Sequence, residues 1–155
     1  MKVDQFQATF FSQLLFMLEE AGVRREQLLD ELLQQDVTIS GADQGGFSGT
    51  DAPVLLETAV KLSGDPCLML RLGQQLGIEC FGSFGFALMS CASLRESVEL
   101  LLRYGQVLFR PTWTAHEYEG GILLRVNIAT DVPARQQLVA ELSFSNLVAL
   151  GRTLY

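Results

Sequence analysis

Apolar residues return with the period of an α-helix along the first half of the chain. Phe6, Phe10, Leu14, Met17 and Leu18 follow i, i+4, i+8 spacing with an added i+3 partner, and Gly22 stands where a C-terminal cap belongs, which predicts a helix over 6–21. Leu28, Leu29, Leu32 and Leu33 repeat the pattern over 24–33, so the first two segments form a helical hairpin. The polar, Gly-rich run 40–49 reads as a loop, since the hairpin before it is too small to fold alone. A third helix is predicted from Thr50 or Asp51, with Pro53 in its first turn and Leu55, Leu56, Ala59, Val60 and Leu62 as its apolar positions, ending at Gly64. The fourth runs over 66–76 with Leu68, Leu72 and Leu76 on one stripe, Arg71 and Gln74 away from it, and Gly77 as its stop.

The corner between the third and fourth helices is written in three residues. Gly64 takes the left-handed position after a helix without a Cβ penalty, Asp65 accepts the amides that open the next, and Pro66 presets φ at the first helical position. After it comes Cys80-Phe81-Gly82-Ser83-Phe84-Gly85-Phe86, too apolar for a surface loop and too Gly-rich for a simple helix interior. It leads into a short predicted helix over 84–91. Ser93-Leu94-Arg95-Glu96 reads as a capping box, which opens a long helix over 94–109 with Leu94, Val98, Leu101, Gly105 and Leu108 on one face. Arg95, Glu99 and Arg103 stay outside, the last two as an i, i+4 ion pair.

Beyond Arg110-Pro111 the period falls from 3.6 to 2. Thr112 to Tyr118 alternates and is rich in β-branched and aromatic residues, Glu119-Gly120-Gly121 supplies a turn, and Ile122 to Ile128 returns, which predicts a β-hairpin. Ile122, Leu124, Val126 and Ile128 share its buried face; Leu123, Arg125 and Asn127 share the other. Asp131 is expected to cap a last helix through Pro133 and Ala134, with Leu138, Leu142 and Ala149 on one stripe and Leu147, Leu150 and Leu154 beside it. The fold class is therefore α+β, a mostly helical domain with a small antiparallel sheet packed on helices. A lone hairpin is marginal in water and leaves both edges open. Further sheet beyond Tyr155, or pairing with another copy, is expected.

Composition narrows the function classes. At 155 residues the chain suits one domain, since a chain of that size buries about 70% of its unfolded surface. A hydrophobic fraction of 48% against 19% charged excludes a disordered chain and leaves apolar surface for a pocket or an interface. The net charge of −7, with basic residues scattered, opposes binding to a phosphate backbone. Cys67, Cys80 and Cys91 match no zinc or redox spacing, so they read as buried free thiols of a reducing cytoplasm. No apolar stretch approaches the ~20 residues that span a bilayer, and the N-terminus lacks the form of a signal peptide.

Catalytic constellations are hard to find. His116, the one histidine, stands on a strand with no nucleophile or carboxylate in a recognisable motif, and no second His or Cys lies at ligand spacing. No catalytic residue, metal site or cofactor is assigned, and an enzyme is not expected. Phe81 to Phe86 lacks the Lys and Ser/Thr of a P-loop and follows a helix instead of a strand, so close packing of backbones over glycines is the better reading. Arg71, Phe81, Phe84, Tyr104, Trp113 and His116, with Tyr118 near them, are the candidate ligand-binding residues: aromatic rings with a few polar groups suit a concave, mostly apolar small-molecule site. The same residues also suit an ordinary core with Trp and Tyr at its rim, and the sequence leaves both open.

Several segments together resemble a known family. Leu55-Leu56-Glu57 through Leu62-Ser63-Gly64-Asp65-Pro66, Leu70-Arg71-Leu72-Gly73, Phe81-Gly82 with Phe84 to Ser90, and Ser93-Leu94-Arg95-Glu96 to Arg103-Tyr104 resemble the N-terminal, arabinose-binding-type domain of one branch of AraC-type transcriptional regulators. This branch is unlike the β-barrel sensor of the arabinose regulator itself. The resemblance covers most of residues 6–155. It implies a bacterial effector-sensing and dimerising domain, joined in relatives to a C-terminal pair of helix-turn-helix units that bind promoter DNA. No basic recognition helix occurs here, so the chain is expected to be a regulatory domain cut short on its C-terminal side. Its implied partners are a small, partly apolar effector and a second copy, with DNA reached only through the missing domain and no membrane. A dimerisation module with no ligand is the alternative.

Overall fold

The computed structural model describes residues 3–37, 52–108 and 112–155. The loop expected over 40–49, the start of the third helix at Thr50 or Asp51 and the Arg110-Pro111 boundary lie outside the described residues, as do the side chains of Phe6 and Leu108 and the helix end at Phe109. Among the described residues, seven α-helices and one antiparallel hairpin follow in the order α1 (Val3–Glu20), α2 (Arg25–Gln34), α3 (Ala52–Ser63), α4 (Leu68–Gln75), α5 (Gly82–Met89), α6 (Leu94–Leu108), β1 (Thr112–Tyr118), β2 (Gly121–Asn127) and α7 (Pro133–Leu154). A single 3-10 turn, Ile78–Phe81, stands between α4 and α5. The fold is α+β, as the change of period implies.

The apolar stripes meet in one core. Leu14 and Leu18 of α1, Leu28 and Leu32 of α2, Leu55 of α3, and Leu68, Met69 and Leu72 of α4 are all essentially inaccessible, and each contributes about 1.5–3 kcal/mol by leaving water. The long α7 packs on α4 and α3. Its approach to α4 is close enough that a Cβ on Gly73 would lie 2.5 Å from the Leu142 carbonyl oxygen and 2.8 Å from the Ser145 Cβ. Polar side chains of α7 bind the backbone of α4 at the same seam. The Ser145 hydroxyl donates to the Leu70 carbonyl at 2.6 Å, and the Asn146 amide donates to the carbonyls of Gly73 at 3.1 Å and Leu76 at 2.7 Å. Two of these acceptors lie at the C-terminal end of α4, where carbonyls lack partners within the helix. Near the N-terminal end of α7, the Arg135 guanidinium donates to Glu57 of α3 at 2.9 Å.

Local corners follow the expected chemistry with some shifts. Gly64 adopts φ +67°, and the Asp65 carboxylate accepts the Cys67 amide at 2.9 Å. Pro66 and Cys67 form a turn instead of the first helical residues, so α4 begins at Leu68. The Ser93 hydroxyl accepts the Glu96 amide at 3.2 Å, while the Glu96 carboxylate reaches back to the Ala92 amide at 2.7 Å, one residue earlier than a strict capping box. Asp131 does not cap α7. Val132, held extended at φ −95° and ψ 109° ahead of Pro133, occupies the cap position with no side-chain bond.

The hairpin pairs Trp113 with Val126, Ala115 with Leu124 and His116 with Leu123. Ile122, Leu124, Val126 and Ile128 do share a side, but they are half-buried, and Ile128 falls just past the end of β2. Trp113 is the residue of this face that reaches the core, 8% exposed and set edge-on to Phe144 of α7 with ring centroids 5.2 Å apart.

Candidate functional site

The Phe/Gly cluster becomes a turn and a helix that wall a hollow. Gly82 turns the chain at φ +51°, and Gly85 lies so close to the 3-10 turn that a Cβ there would meet the Ile78 carbonyl oxygen at 2.2 Å. The glycines therefore fold α5 back onto its own lead-in, and α4 meets α7 at Gly73 instead. This geometry turns Phe84 and Leu88, one helical turn apart, inward. Phe86 and Met89 are left outside, 71% and 54% exposed.

Inside lies a half-open cavity of about 120 Å³. Phe81, Phe84 and Leu88 form one wall, with Phe10 of α1 against Phe81 at a centroid distance of 5.9 Å. Val98 and Leu101 of α6 and Trp113 of β1 form the second wall, and Leu142, Asn146, Leu147 and Leu150 of α7 form the floor. Its mouth is marked by Leu94 and Tyr155, each 53% exposed, where the start of α6 meets the end of α7. There the Ser97 and Tyr155 hydroxyls share a hydrogen bond of 2.7 Å, and the Tyr155 hydroxyl also lies 3.4 Å from the Cys91 carbonyl. Residues from α1, the 3-10 turn, α5, α6, β1 and α7 thus converge on one apolar space.

Of the six candidate residues, Phe81, Phe84 and Trp113 line this cavity together. The other three stand elsewhere. His116 lies on the outer face of the hairpin beside Leu123, Tyr104 is exposed on α6, and Tyr118 at the strand end is exposed as well. Arg71 pairs with Asp65 across the α3–α4 corner and borders a second hollow of about 460 Å³ between α1 and α4, with Gln13, Glu20, Gln75 and Glu79 at its edge. That hollow is larger, but its polar walls are exposed side chains free to rearrange, whereas the 120 Å³ cavity is fixed by buried rings and leucines. The latter has the build of a small-molecule site.

Sequence reasoning missed the contribution of α7. Leu142, Asn146, Leu147 and Leu150 line the floor, and the one available signal was the excess of apolar positions on that helix beyond a single stripe. Cys80 is buried beside Glu79, and its thiol is held above its ordinary range by loss of hydration and by that carboxylate. Among the described residues no three His, Cys, Asp or Glu side chains converge as metal ligands, and no helix is long and apolar enough to cross a membrane.

Over 95 residues the chain is 34% identical to the ornithine utilization regulator of Pseudomonas aeruginosa, a stretch that covers 61% of this chain and 28% of that protein. The chain therefore spans well under two thirds of the curated relative it matches. The model of a family of transcription-regulator domains, not of enzymes, matches residues 18–155. On that match, covering nearly the whole described fold, the chain belongs to the family described as the arabinose-binding domain of AraC transcription regulators, N-terminal.

Proposed function

We propose that this domain is the regulatory sensor of an AraC-type transcription regulator, holding a small, partly apolar effector in the cavity between α5, α6, β1 and α7. It forms a homodimer and passes its state to a helix-turn-helix DNA-binding part of the whole regulator. The regulator works in a bacterial cytoplasm, where Cys67, Cys80 and Cys91, free thiols in this structure, stay reduced. The observation that carries the reading is the cavity of about 120 Å³ assembled from elements of both ends and the middle of the chain, in a family of regulator domains. Regulation through such a site needs an effector that binds one state of the domain better than another.

Thermal-shift measurements against a metabolite panel test the effector half. The panel includes arabinose, ornithine, small acids and neutral apolar compounds. An effector at about a hundred times its Kd stabilises the folded state by about 2.7 kcal/mol, which raises Tm by roughly 5–10 °C for a domain of this size. No saturable rise from any compound removes the effector from the proposal. A dimerisation module without ligand is the second reading, favoured by Phe86 and Met89 standing exposed on one side of α5. It predicts a dimer whose Tm no small molecule moves.

A further inference from the structure

We infer that the effector is neutral and mainly apolar, of about six to eight non-hydrogen atoms, with at most one or two hydrogen-bonding groups. This rests on the sensor reading above and names the ligand class of that same cavity. The volume sets the size: about 120 Å³ compares with an engineered apolar cavity of about 150 Å³ that admits benzene in another protein. A six-carbon chain or ring fits; a long acyl chain would have to leave through the mouth.

Polarity follows from the lining. Among the described residues that border the cavity none is charged. A dibasic amino acid would bring an ammonium pair and a carboxylate into a space with no counter-charge, and buried charges persist only when paired. A pentose would bring several hydroxyls, each needing a partner. The polar lining groups are already engaged: Ser97 with Tyr155, and both Asn146 amide hydrogens with the carbonyls of Gly73 and Leu76. What remains to direct a ligand is the Asn146 carbonyl oxygen and the Ser143 hydroxyl at the floor. A hydroxyl or N–H on the ligand would donate to that oxygen, while an ionised carboxylate would have the Ser143 hydroxyl as its donor and no counter-charge to offset its lost hydration.

Trp113 makes the test direct, because it is the only tryptophan of the chain and borders the cavity. The probes are 1-hexanol and iodobenzene, whose heavy atom quenches indole on contact, against lysine and xylose. Expected results are saturable Trp113 changes with the first two, weakened about tenfold in Leu147→Phe, which fills the floor, and none with lysine or xylose. A crystal soaked with iodobenzene places the iodine independently of any variant. If lysine or xylose saturates the Trp113 signal and Leu147→Phe weakens it, the ligand class is overturned while the sensor reading survives. If no probe alters Trp113 and the iodine is absent from the cavity, both fall.

Discussion

Gly73 is the residue at which α4 tolerates least. A methyl there would press on the Leu142 carbonyl oxygen at 2.5 Å and the Ser145 Cβ at 2.8 Å, atoms fixed in the backbone and first side-chain carbon of α7, which cannot swing aside. Alanine normally gains up to about 1 kcal/mol over glycine inside a helix, but overpacking of this kind costs about 1–3 kcal/mol. Gly73→Ala is therefore expected to lower the denaturant midpoint, and an unchanged or higher midpoint would show that the seam has slack. The cysteines divide by the same local logic. Cys80 is buried and its thiol is pushed above the ordinary range, so the nucleophilic thiolate is scarce at neutral pH, whereas Cys67 is exposed. Iodoacetamide at pH 7.5 should alkylate Cys67 first and Cys80 only on unfolding, as read by peptide mass mapping. Because folding favours the protonated Cys80 thiol, its contribution to stability is full below the ordinary thiol pKa and declines as pH rises through it. From the sequence all three thiols are expected to be buried; only Cys80 is, with Cys67 exposed and Cys91 half-buried, because burial, like the close approach at Gly73, depends on which surface lies opposite.

At the level of elements, α4 and α7 act as one unit because side chains of α7 complete the end of α4. Replacing Asn146 by leucine keeps the volume but leaves the Gly73 and Leu76 carbonyls without the donors they have at 3.1 and 2.7 Å. Asn146→Leu should cost about 1–3 kcal/mol, the penalty for buried acceptors left unmet, measured by urea denaturation; Ser145→Ala, which removes the donor to Leu70, should cost less. Helix ends governed by nearest neighbours were legible beforehand: Gly22, Gly64 and Ser93 act where the sequence put them, while the Glu96 carboxylate takes the Ala92 amide instead of that of Ser93. The errors lie where one local preference outranks another. Pro133 forces Val132 extended and so takes the cap of α7 from Asp131. The 3-10 turn before α5 was hidden because its cause is a tertiary one, the contact of Gly85 with the Ile78 carbonyl. In the hairpin the alternation told the faces correctly, yet it could not tell that Leu124 and Val126 would be only half covered.

For the whole molecule, α5 is one of the elements that touch both the cavity and the outside. Phe84 and Leu88 face inward onto the cavity, while Phe86 and Met89, three residues apart on the same outer side, are exposed. Two exposed apolar residues on one side of a helix are a place where association is worth testing, and a second copy is the partner the proposed sensor role calls for. In the proposed sensor, coupling would need no long path: an effector that reseated Phe84 would act on the helix that also carries Phe86. By reciprocity, a ligand that tightens the dimer must itself bind the dimer more tightly by the same factor. Phe86→Glu would set like charges against each other across a twofold interface while leaving the cavity lining intact. Analytical ultracentrifugation should show self-association at micromolar concentration, strengthened by the effector and weakened at least about tenfold in Phe86→Glu, with the variant still binding ligand in the Trp113 assay. Unchanged association in the variant would move the interface to the half-covered hairpin, and a wild-type chain that stays monomeric with and without ligand would remove dimerisation from the proposed role.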